Sequence, residues 1–233
     1  MKDLKGAIEA EKLYVADRIN GINANLFERL KPFGYENLAE YFDEKSDYFL
    51  KKWKPEVFRI ETEVLADVLN DAIVNGKYGI YTPIAKGHYA FHGNDEIDRE
   101  RCKNLGVEII DLKYGGGTII GSNEDFSFEI IAPVKFGFTH AKIINKVAEI
   151  IGNYIEKVEI DGNDILVDGE KIMGSMTRQV GNSFVWAAQI SFGEYGDYIR
   201  EICNKKSGKK PGYIKKAKLT KEKLESEVLK WLQ

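Results

Sequence analysis

Asn163-Asp164-Ile165-Leu166-Val167-Asp168-Gly169-Glu170-Lys171-Ile172-Met173-Gly174-Ser175 reads as two short strands joined by a tight turn. An Asp-Gly pair between apolar runs favours a hairpin and antiparallel pairing. Lys171 opens the second strand, and the small residues Gly174 and Ser175 close it. One reading of Lys171 is a surface lysine after a turn. The other is an ammonium held where a ligand backs onto the chain. Apolar Ile172 and Met173, followed by two small residues, are unusual for an exposed hairpin arm. A cation beside a phosphate, or beside a carboxylate reacting with one, stabilises developing negative charge.

Working outward, the pattern is helical before the hairpin region and mixed around it. Gly6 to Leu30 and Asn37 to Lys52 carry apolar residues at mixed three- and four-residue spacing. Glu61 to Asn75 is clearer, with Val64, Leu65, Val68, Leu69, Ala72 and Ile73 on one face and Gly76 as a left-handed cap. Strands are predicted over Tyr78 to Ile84, His88 to Phe91, Val107 to Lys113, Ile119-Ile120, Phe126 to Ala132 and Phe184 to Phe192. Helices are predicted over Asp95 to Leu105 (N-capped by Asn94), His140 to Ile155, Glu194 to Lys205 and Thr220 to Leu232. The expected fold is α+β, with helices packed on a mixed, largely antiparallel sheet. A single domain over residues 1–233 is expected, beginning with a helical region to about residue 77.

Composition sets outer limits. The 233 residues are 43% hydrophobic and 30% charged, with a formal net charge of -3. That balance gives no general case for nucleic acid. No apolar run reaches the roughly 20 residues of a membrane span. The N-terminus lacks the apolar stretch of a signal peptide. Cys102 and Cys203 lie far apart without metal-ligand spacing, and His88, His92 and His140 are scattered. A cytoplasmic chain with free thiols and no protein-held metal is expected. From Asn204 to Gln233 there are ten lysines against three acidic residues. This basic end is either a solvated surface or a face for an acidic partner.

Gly115-Gly116-Gly117 interrupts a strand-rich segment. Three glycines weaken a strand, so either a bend or a close ligand approach should offset the cost. No GxxxxGK[ST] is present, and no GxGxxG opens a helix.

At these residues the chain resembles the lipoate–protein ligase family, which shares its class II synthetase-like fold with biotin ligases and octanoyltransferases. Three blocks carry the resemblance, in the family's order. The first runs from His92-Gly93-Asn94-Asp95 through Arg99 and Cys102 to Leu105-Gly106-Val107-Glu108-Ile109-Ile110. The second is Gly115-Gly116-Gly117-Thr118-Ile119. The third is the Asn163–Ser175 hairpin, where Lys171 falls on the family's motif lysine. The resemblance covers roughly residues 80–232.

That resemblance implies a reaction. Such enzymes activate lipoate or a related medium-chain acid with Mg-ATP to an acyl-adenylate. They then pass the acyl group to a lysine of a small, acidic lipoyl carrier domain. Gly115, Gly116, Gly117, Thr118 and Ile119 would line the acyl-adenylate site. Lys171 would contact the carboxyl oxygen and α-phosphate. Asn163 and Asp164 would orient the nucleotide or magnesium, and Gly174 and Ser175 would floor the site.

The chain also departs from the family pattern. Asp111, Leu112 and Tyr114 stand where two arginines and a small hydroxyl residue are usual. Gly121-Ser122 replaces a histidine–aspartate, and Trp186-Ala187-Ala188 stands where a His-Gly is usual. Two further readings therefore stay open. One is a cysteine-dependent octanoyl or lipoyl transferase without ATP, with Cys203 as nucleophile; against it stands an inert helical thiol. The other is a non-catalytic domain that binds a cofactor acid or a carrier.

Overall fold

A computed structural model of the chain describes residues 2–92, 97–113, 118–194, 209–215 and 217–232. The chain forms two compact units. One comprises Met1–Lys54 with Lys135–Thr139, and the other Pro55–Val134 with His140–Gln233.

The first unit is helical. Helices α1 (Leu4–Ile19), α2 (Leu26–Leu30) and α3 (Leu38–Leu50) start at Asp3, Asn25 and Asn37, whose side chains accept from backbone amides of the first turn. Such caps satisfy donors that a helix start leaves open. Ala7, Leu30, Tyr35 and Tyr41 form the core. Lys45, buried within this unit, is paired with Glu11, which also accepts from the Tyr41 hydroxyl at 2.7 Å.

The second unit contains a seven-stranded sheet. Its strands are β1 (Glu56–Glu61), β2 (Gly79–Ile84), β6 (Phe126–Pro133), β7 (Val158–Asp161), β8 (Asp164–Val167), β9 (Glu170–Val180) and β10 (Ser183–Ile190). The spatial order is β1-β2-β6-β10-β9-β8-β7. Only the β1–β2 pair in it is parallel. The expected α+β class and largely antiparallel sheet are what the structure shows. A second sheet, ordered β4-β3-β5, joins β3 (His88–His92), β4 (Glu108–Asp111) and β5 (Ile119–Ser122).

Helix α4 (Thr62–Asn75) lies between the two sheets. Its Leu65, Leu69, Ala72 and Ile73 pack with Tyr81, Ile131 and Val185 of the large sheet and with Tyr89, Phe91 and Ile110 of the small one. Alternation sends Ala90 and Ile120 to the outer side of the small sheet, where they meet Cys102 of α5 (Arg99–Asn104). The opposite face of the large sheet carries Phe128 and Trp186, and Trp186 Nε1 donates to His140 Nδ1 at 3.0 Å, at the start of α6 (His140–Gly152). The last helix, α7, spans Lys221–Leu232 and buries Leu224, Val228 and Leu232. All eight residues of β6 are buried, as expected of a central strand covered on both faces.

Three sequence expectations shift. The helical stretch placed over the first 77 residues contains strand β1, and both β1 and α4 belong to the sheet unit. The helix expected from Asp95 starts at Arg99, with Asp98 rather than Asn94 as its cap, accepting from Arg101 N. The helix expected from Glu194 to Lys205 falls almost wholly outside the described residues.

Buried Asp125 ties the β5–β6 turn to the chain leaving β10. It accepts from Ser122 N at 2.9 Å, Phe192 N at 2.7 Å and Gly193 N at 3.3 Å. Asp125→Ala leaves these amides unpaired and is expected to cost roughly 2–4 kcal/mol of folding stability in a urea titration. A loss below about 0.5 kcal/mol would show that the amides find other partners.

Candidate active site

The hairpin forms as its sequence dictates. Asp168 and Gly169 both adopt positive φ, 51° and 78°, between Val167 and its partner Glu170. A two-residue turn of this kind matches the twist of the flanking strands. The ladder then slips by one residue: Leu166 pairs with Lys171, but Ile165 pairs with Met173. Ile172 is the extra residue of a β-bulge. A bulge reverses the side-chain alternation beyond it. Lys171 therefore lies on the same face as Gly174. A Cβ built on Gly174 would come within 3.2 Å of Lys171 Nζ and 3.8 Å of Asp164 Oδ1.

Asp164 sits between two cations. Its Oδ1 is 2.9 Å from Lys171 Nζ, and its Oδ2 is 2.7 Å from Lys209 Nζ. Partial burial pushes its carboxyl up, but the hydrogen bonds from Lys209 and Lys171 outweigh this and hold it below its ordinary value. Asp164 in turn raises the ammonium of Lys209, against desolvation. Lys209 Nζ is also 2.9 Å from Asp161 Oδ2, so two ammonium groups and two carboxylates alternate and their charges balance. The Lys171 side chain is 37% exposed, so N–H donors not used by Asp164 can meet a ligand.

Lys209 arrives on a strap that runs beside Lys171. Lys171 N donates to Lys210 O, and Gly212 N donates to Lys171 O, both at 2.8 Å. Ile214 N donates to Ser191 O, and Ser191 N to Ile172 O. The strap thus takes the place beside β9 that β10 leaves when it ends at Ile190.

On the same face of the sheet lies a shallow cleft that opens to solvent. Leu65, Tyr81, Phe91, Ile119 and Met176 give it apolar walls. Met176 is the next residue after Gly174 to face this way, and Gly174 pairs with Gln189, which also lines the cleft. The Lys171 cluster and the cleft are therefore neighbours on one sheet face.

Among the residues singled out from sequence, Lys171, Asp164 and Gly174 come together, and Ile119 lines the neighbouring cleft, with Thr118 just before it in the chain. Asn163 lies in the β7–β8 turn and acts through its backbone. Its carbonyl accepts from Ser175 N at 2.9 Å and Ser175 Oγ at 2.7 Å. Ser175 alternates with Gly174 and is turned to the other face. Gly115, Gly116, Gly117 and Cys203 lie outside the described residues. Cys102 is buried in the small-sheet core, and burial pushes its thiol up. Asp111 binds Arg99 through both oxygens, at 2.7 and 3.2 Å.

Three residues escaped the sequence reading. Lys209 is brought in from 45 residues away. Gln189 and Glu129 belong to strands whose neighbours are apolar. Glu129 did carry a signal, a lone acid between Phe128 and Ile130. Among the described residues, no group of three or more His, Cys, Asp or Glu side chains could hold a metal ion. No helix among the described residues is long and apolar enough to cross a membrane.

No protein-family model matches the chain, and neither does any curated protein sequence. Solved structures do. Ta0514, a putative lipoate protein ligase from T. acidophilum with bound lipoic acid, is 12% identical with a TM-score of 0.61 over 77% of this chain and 84% of its own. LipL1 from P. falciparum, in complex with lipoate, is 13% identical with a TM-score of 0.60 over 76% of this chain; the match spans 61% of LipL1. Lipoate-protein ligase A bound with ATP is 11% identical with a TM-score of 0.59, over 77% of this chain and 84% of its own. At such identities the likeness is one of architecture: this chain has the fold of the lipoate–protein ligases.

Proposed function

We propose that the chain is a lipoate–protein ligase-like acyltransferase, which activates lipoate or a related medium-chain acid with ATP and transfers it to a lysine of an acidic lipoyl carrier domain. The observation that carries this reading is the Lys171 ammonium beside an apolar cleft on one sheet face. An acyl chain would occupy the cleft, and its carboxylate would meet Lys171. ATP would supply the α-phosphate that the carboxylate attacks, with pyrophosphate leaving. Magnesium would come with the nucleotide, since this ion commonly keeps to phosphates and one or two carboxylates.

The chain's own residues would then hold charge in place. Lys171 would offer its remaining N–H groups to the carboxyl oxygen and α-phosphate, where negative charge grows. Gly174 leaves open the space that a Cβ would fill beside the ammonium. Asp164 would fix the position of Lys171, and Lys209 would in turn hold Asp164 in place. The carrier's lysine amine would attack the acyl carbon and release the nucleotide monophosphate. The basic C-terminal end, with ten lysines against three acidic residues from Asn204 to Gln233, suits an acidic carrier.

The test is ATP-dependent pyrophosphate release with lipoate or octanoate, followed by transfer to an isolated lipoyl domain. Lys171→Ala is expected to lower transfer by about 10²–10³-fold, with its circular dichroism unchanged. Unaltered transfer in that variant would sink the reading. Transfer from an acyl carrier without ATP, lost in Cys203→Ser, would replace ligation with transfer by a thiolate.

Asp164 adds a pH test. Its carboxyl is lowered in the fold, so its pairs stabilise the chain above the ordinary carboxylate range, and that contribution is lost as pH falls through the lowered value. Asp164→Asn is expected to flatten the fall in thermal stability between about pH 5 and pH 3. A fall as steep as in the unaltered protein would show that other carboxylates dominate.

A further inference from the structure

Glu129 lies in the middle of β6, with 8% of its surface exposed, and its side chain lines the cleft. Its carboxyl has no hydrogen-bond or ion-pair partner among the described residues. A buried, unpartnered carboxyl is costly, and the rest of this strand is built of residues that are easy to bury. Tyr81 is the other titratable group on the cleft wall, and its hydroxyl is committed to Lys77 O at 2.8 Å. Burial pushes the Glu129 carboxyl up to about 8.

Gln189 supplies a second unmet acceptor. Its Nε2 donates to Ile120 O, which settles which end of the amide is nitrogen. Oε1 is left buried and without a partner among the described residues. Gly121 makes room for this arrangement, since a Cβ there would stand 2.4–2.6 Å from the Gln189 amide. The register sets Gln189 opposite Ser127 and Ala187 opposite Glu129, so Gln189 and Glu129 are diagonal neighbours on one face. The Glu129 carboxyl thus lines the cleft and can carry a negative charge, while the unpaired Gln189 Oε1 is sealed beside Gly121.

We propose that the acid taken by this cleft bears a protonated amine on its chain, received by the Glu129 carboxyl. The inference rests on the proposed binding of an acid carboxylate at Lys171. From Gly174 beside Lys171, Glu129 lies two strands across and two residues along, a backbone separation of roughly 12 Å. Lysine and glutamate side chains reaching inward shorten that span to one a medium-length amino acid can bridge. Such a ligand is an amino-substituted carboxylic acid, with opposite charges at its two ends matching Lys171 and Glu129. An alkyl chain or a dithiolane ring would leave the Glu129 carboxyl unmet.

Octanoate and 8-aminooctanoate distinguish the possibilities by isothermal titration against the full chain at neutral pH. The amine is expected to bind about ten- to a hundredfold more tightly. Glu129→Leu should reverse the order, and Glu129→Gln, which keeps the side-chain volume, should remove most of the preference. Titrations in buffers of different ionisation enthalpy should show about one proton released with 8-aminooctanoate and none with octanoate. Binding of octanoate alone, or a preference that survives Glu129→Leu, overturns this assignment and leaves the acid site at Lys171 standing. Failure of both acids to bind overturns both.

Discussion

A single extra residue in β9 decides which side of the sheet Lys171 serves. Without Ile172 in the bulge, strict alternation would place Lys171 with Met173 and Ser175, on the face that Trp186 and α6 cover. An ammonium there would lose water without gaining a partner. With the bulge, the same residue emerges beside Gly174 and Asp164. The strap holds this irregularity, because the carbonyl of Ile172 and both backbone groups of Lys171 are hydrogen-bonded to chain beyond β10. Side-chain direction at the site thus follows from backbone pairing.

The face that receives Lys171 is unusual for a protein interior. Its neighbours on β6 and β10 are packed as a core should be, with Ile131 and Val185 against α4. A few residues along, the same strands place a carboxyl on the cleft wall and bury an unpaired amide carbonyl. Folding alone would favour apolar residues at both positions. Departures from that rule are where function is sought, since a local penalty persists only when something else requires it.

Much of the architecture was legible. Asp168-Gly169 marked the hairpin because few other pairs accept two positive φ angles in succession. Helix α4 was clear from its apolar spacing and from Gly76, which does adopt a left-handed cap. Strand β1 was missed because Glu56-Val57-Phe58-Arg59-Ile60-Glu61 is a short edge strand with no fully buried residue, between two helical patterns. The candidate site's grouping of residues was legible in part. Lys171, Asp164 and Gly174 are close in sequence, so local reasoning reached them. Lys209 was beyond it, because its meeting with Asp164 depends on the strap's path. The bulge itself leaves no mark in the residue types, and Ile172 reads as an ordinary strand residue.

Exposed strand edges invite other chains to add to a sheet, and proteins commonly block them. Past Ile190 the edge of β9 would have been open at Lys171. The strap occupies it, with Gly212 so close to Glu170 that an added Cβ would lie 2.5 Å away. Backbone recognition is therefore closed to any protein partner at this point. A partner that comes to Lys171 must be read by its side chains and its charge, and its own backbone need not be extended to be accepted.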